Sequence, residues 1–139
     1  MPQRLALFAA ALWWGSLTAT GFITAPLLFA HLPSPAIAGN MAAALFSAQT
    51  WIALGCGLLL IVLSRGLQTT ARIDWADGAL VFIVGGVLLA LLAEFAVAPR
   101  ILARENLALW HAVGSAMLLM QWICALVALW KIGAPSSRA

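Results

Sequence analysis

Residues 78–98 read GALVFIVGGVLLALLAEFAVA, an apolar run broken by one carboxylate, Glu94. A run of about 20 such residues is long enough, as a helix, to cross a hydrocarbon layer about 30 Å thick. Three more stretches of this kind surround it. Together they run from Leu5 to Ala30, Met41 to Leu63, Gly78 to Ala98 and Leu107 to Trp130. They take up most of the 139 residues and leave nothing for a soluble domain. The chain reads as one four-helix transmembrane domain.

Composition agrees. The hydrophobic set makes up 65% of the residues and only 8% are charged, with no Tyr. The mean hydropathy is +1.06. A soluble domain of this length needs a charged surface, so lipid is the solvent here. The net charge is +3, but the basic residues form no tract able to follow a nucleic acid backbone, and nucleic acid is excluded as a partner. The first apolar stretch follows a short basic start, as a secretion signal would. It is longer than a signal's hydrophobic region and is expected to stay as a membrane helix. Cys56 and Cys124 lie inside apolar runs without metal or redox spacing and read as packing residues.

With no water in the bilayer core to satisfy backbone groups, each span must be helical, and short links make neighbours antiparallel. The expected fold is an all-α, up-down bundle. Pro33 and Pro35 interrupt the first link, and Asn40, Asp77 and Asn106 are the expected helix N-caps. Arg4, Arg65, Arg72, Lys131 and Arg138 fall on one side and Arg100 and Arg104 on the other. This bias places both termini in the cytoplasm, in a bacterial inner membrane. Trp13, Trp14, Trp75, Trp110 and Trp130 are expected near the interfaces.

An internal echo is also present. Phe22-Ile-Thr-Ala-Pro26 resembles Phe95-Ala-Val-Ala-Pro99, and Trp51-Ile52 resembles Trp122-Ile123. A parallel repeat about an axis along the membrane normal would explain it, as would chance likeness between two apolar hairpins. On the repeat reading, Pro26 and Pro99 kink helices that continue outward.

Polar side chains inside the spans are costly and are expected to face one another. His31, Glu94 and His111 all fall in the outer third. Thr20, Thr24 and His31 share a face of the first helix at regular helical spacing, and Ser47 and Thr50, with Gln49 nearby, line the second. His111 and Ser115 share a face of the fourth with Gly114, and Arg100 stands at the outer end of the third. Two imidazoles and a carboxylate suit copper, zinc or iron, and two imidazoles alone suit haem b. The same groups would equally serve as a lock between helices. Gly55, Gly57, Gly85, Gly86 and Gly114 would allow close helix approach.

The stretches LWWGSLTATGFITAPLLFAHLPSPAIAGNMAAALFSAQTW and LLAEFAVAPRILARENLALWHAVGSAMLLMQW resemble the membrane-protein family related to transmembrane protein 205. The marks are the WWG, the AP followed by FAH, the EF with APR, and the LWH. That family is grouped with CopD-like proteins, so the resemblance implies copper handling or haem chemistry, with His31, Glu94 and His111 as the residues concerned. The chain departs from a copper conduit in having no Met-rich or His-rich stretch.

Three functions follow as alternatives. The first is a metal- or haem-binding bundle. The second is an accessory subunit of a larger membrane complex or homo-oligomer, in which these residues only join helices. The third is a small ion or solute transporter. No nucleophile with a base, phosphate loop or dinucleotide fingerprint supports an enzyme.

Overall fold

The computed structural model describes residues 2–66 and 74–134. Four long helices make up the bundle, and no strand occurs among the described residues. Helix α1 spans Pro2–His31, α2 Pro35–Gly66, α3 residues 74–102, and α4 Leu107–Gly133. All four are long and apolar enough to cross a membrane. Each packs on its sequence neighbours, and α4 closes the ring against α1. The two ends of the described chain lie on the same side, with Gly133 beside Leu7.

The helices extend past the sequence-predicted limits, and two of the expected caps fall inside them. Helix α2 begins at Pro35, five residues before Asn40. Proline suits a first turn because its missing N–H would have no helical partner there. The Oγ of Ser34 accepts the N–H of Ile37 at 3.3 Å and does the capping expected of Asn40. Helix α3 begins at Asp74, so Asp77 lies within it. Asn106 does precede α4, but its side chain makes no cap; its backbone is left-handed, at φ 34°, and its carbonyl accepts the Trp110 N–H. Arg72 and Arg138 lie outside the described residues, as do the surroundings of the Trp75 side chain.

Neither α1 nor α3 is uniform. Residues Ala19–Thr24 of α1 and Ala93–Val97 of α3 are π-helical, and an α-helical segment carrying proline in its first turn follows each. The N–H of Ala25 reaches back to the Thr20 carbonyl, and that of Ala98 to the Ala93 carbonyl. The wider turn absorbs the carbonyls that proline cannot serve. Both helices continue through Pro26 and Pro99, as the echo of Phe22–Pro26 in Phe95–Pro99 implies.

Small residues bring the helices together. Ala6, Ala10, Ala53, Ala79, Ala125 and Ala128 are fully buried, and Trp13, Leu17, Leu60, Ile83 and Ile132 fill the space between them. Large apolar side chains such as Phe8, Val81 and Trp130 face outward. In water this distribution would be unstable; in lipid it is expected. Trp13 is thus no interfacial anchor. It sits at the bundle centre, and Trp14 packs against Trp122 with the rings tilted by 41° and their centroids 5.7 Å apart. Cys56 and Cys124 are free thiols.

Candidate functional site

The polar side chains form hydrogen bonds across all four helix interfaces. Between α1 and α2, the Thr20 hydroxyl donates to Gln49 Oε1 at 3.2 Å, and Gln49 Nε2 donates to Ser16 Oγ at 3.0 Å. Between α2 and α3, the Ser47 hydroxyl donates to Glu94 Oε1 at 2.8 Å. Between α3 and α4, Gln121 Nε2 donates to the Gly86 carbonyl at 3.2 Å. Between α4 and α1, Trp122 Nε1 donates to Thr18 Oγ1 at 2.8 Å. Lipid offers no competing partner for these groups, so each bond joins two helices directly.

The remaining predicted site residues are engaged locally. Thr24 donates to the Ala19 carbonyl and Thr50 to the Phe46 carbonyl. Arg100 Nη1 donates to the Ala96 carbonyl at 2.6 Å, with its guanidinium 4.6 Å from the centre of the Trp110 ring. His31 Nδ1 lies 3.1 Å from the Leu27 carbonyl of its own helix. His111 and Ser115 are exposed on the N-terminal half of α4.

The metal triad is therefore not assembled. Among the described residues no group of three or more His, Cys, Asp or Glu side chains is placed to hold a metal ion. Glu94 is bonded to Ser47 rather than to either imidazole. On α1 the π-helical turn supplies a physical reason. An extra residue in a turn rotates everything beyond it, so spacing counted at 3.6 residues per turn fails across the insertion. Thr20 faces α2 and is buried, whereas Thr24 and His31 line a shallow groove with Leu27, Leu28 and Leu32 on the outer surface.

Sequence reasoning did not find the roles of Ser16, Thr18 and Trp122. A signal existed: Ser16 and Thr20 lie one turn apart on one face, while Thr18 points elsewhere. Of the glycines, Gly57 and Gly86 meet side chains of another helix at close range, against Val87 and Trp13, while Gly55 and Gly85 face open space. The indole nitrogens of Trp13 and Trp14 are buried without a partner among the described residues.

Fold and site together define a class: a bundle of four membrane-crossing helices whose polar side chains bond to one another across each interface. Within that class, residues 8–109 match the model of a family described as a domain of unknown function, DUF4149, and the chain belongs to that family. Comparison with curated proteins and with solved structures gave no match.

Proposed function

We propose that this chain is an accessory subunit embedded in the membrane, a stitched four-helix scaffold that acts through what docks on its lipid-facing surface. The observation that carries this reading is the set of side-chain hydrogen bonds joining every adjacent helix pair. Polar groups used in this way stiffen a bundle. Trp13, Leu17, Leu60, Ile83 and Ile132 occupy the interior that a conduit would need.

Both termini are cytoplasmic in this reading, and the membrane is a bacterial inner membrane. Arg4, Arg65 and Lys131 at one end of the bundle support that orientation. In a cysteine-free variant, a membrane-impermeant thiol reagent applied to intact cells should label a cysteine placed at Arg104 and spare one placed at Gln3. The reverse pattern inverts the topology.

The accessory role is tested by the native mass of the protein extracted in mild detergent, with and without prior crosslinking. A complex of fixed stoichiometry that re-forms from purified components supports it. A lone chain carrying one equivalent of metal or haem, or one that moves a solute across liposomes, overturns it.

A further inference from the structure

The four interfaces are not equivalent. Phe22 corresponds to Phe95 and Pro26 to Pro99, so Gly21 corresponds to Glu94; Trp51 corresponds to Trp122, so Ser47 corresponds to Leu118. Gly21 and Leu118 meet between α1 and α4, as Glu94 and Ser47 meet between α3 and α2. In the first seam a methyl on Gly21 would stand 2.8 Å from Leu118 Cδ2, so apolar atoms alone close it. Packing at this position does not require a carboxylate.

Glu94 lies about 12 Å by helical rise below Leu102, where α3 ends, and so within a hydrocarbon layer about 30 Å thick. An ionised carboxylate has about four acceptor positions, and Ser47 fills one. Both side chains are half-buried, so the pair reaches the lipid-facing surface at the α2/α3 seam. Trp51, one turn from Ser47 and 64% exposed, and Phe95, next to Glu94 and 66% exposed, flank it.

None of the chain's described cations bonds to that carboxylate. Arg100 on α3 is held by the Ala96 carbonyl and Trp110, and His31 on α1 by the Leu27 carbonyl. His111 on α4 is on the outer surface. Arg4, Arg65 and Lys131 belong to the opposite end of the bundle. Intramembrane acids ordinarily pair with a basic group. A second copy docked symmetrically on this seam would set Glu94 against Glu94 and bring no basic group to it.

We propose that the Glu94–Ser47 seam docks a transmembrane helix of a partner protein carrying an arginine or lysine at the same depth. This names the kind of partner that the accessory reading requires, and rests on it. The cationic side chain takes the free carboxylate positions, while Trp51 and Phe95 flank the helix.

The test uses the purified full chain in phosphatidylcholine vesicles and two labelled leucine-alanine helices of about 20 residues, one with a single Arg at the depth of Glu94 and one with Leu there. Energy transfer should show the Arg helix binding about tenfold more tightly. Glu94→Gln should abolish the difference, Glu94→Asp should retain part of it, and Glu105→Gln in the outer loop should leave it intact. Circular dichroism of Glu94→Gln, which can still accept the Ser47 hydrogen bond, reports folding. Equal binding of both helices to the wild type, or discrimination that survives in Glu94→Gln, overturns the proposal. Self-association of the chain that Glu94→Gln abolishes also overturns it, in favour of a second copy. The probes are defined helices, so this outcome is independent of the native complex. Lost discrimination with an intact complex removes the seam alone, and discrimination without any complex removes the accessory role alone.

Discussion

Gly86 of α3 receives the edge of the Trp13 ring of α1: a methyl group on Gly86 would stand 2.7 Å from Cη2 and 2.8 Å from Cζ2. Trp13 is fully buried and cannot swing aside without displacing the core. Gly86→Ala is therefore expected to cost about 1–3 kcal/mol, as overpacking does. Gly85→Ala, which meets nothing within 4 Å, should leave stability unchanged. Thermal unfolding in detergent, followed by tryptophan fluorescence, compares the two.

Gln49 bridges Thr20 and Ser16 of α1 from α2. Gln49→Leu removes both bonds and leaves the buried Thr20 hydroxyl without its interhelical partner, with an expected loss of about 1–2 kcal/mol. Thr20→Ser, which keeps the hydroxyl, should lose less than Thr20→Val. Unfolding midpoints in mixed detergent and dodecyl sulfate measure the order.

Trp122 combines a hydrogen bond to Thr18 with a tilted contact to Trp14 and an edge contact to Phe22, each with a centroid separation of 5.7 Å. Trp122→Phe retains an aromatic ring and loses the bond, for an expected cost of about 1 kcal/mol. Trp122→Ala loses both and should cost about 3–5 kcal/mol. The difference between the two unfolding free energies separates aromatic packing from the hydrogen bond.

His31 and His111 are exposed and belong to no metal-holding group among the described residues. His31→Ala and His111→Ala are each expected to change stability by less than about 0.5 kcal/mol. Added zinc or copper should raise the melting temperature of neither the wild type nor the variants. A metal-dependent rise that His111→Ala removes would restore the metal reading.

Much of this architecture was legible in the chain. The run from Gly78 to Ala98 is too apolar for water and long enough for a bilayer, which leaves helix as the only way to satisfy its backbone. Repetition of such runs, with Pro33 and Pro35 between the first two, makes the antiparallel order follow. The echo of Phe22–Pro26 in Phe95–Pro99 correctly anticipated that both helices continue past proline. Gln49 and Thr20 were recognisable as polar residues needing company, and they found it in each other.

The choice of partner was not legible. Glu94 was expected beside an imidazole and is bonded to Ser47, because depth in a span sets the level of a side chain and not the direction it faces. Trp13 was expected at an interface and lies at the centre, because the space left by Gly86 can be seen only once α1 and α3 face each other across the bundle. Solvent preference is a property of residue type and survives any arrangement of the chain. Side-chain pairing depends on the rotation of each helix about its axis, which the packed bundle alone sets.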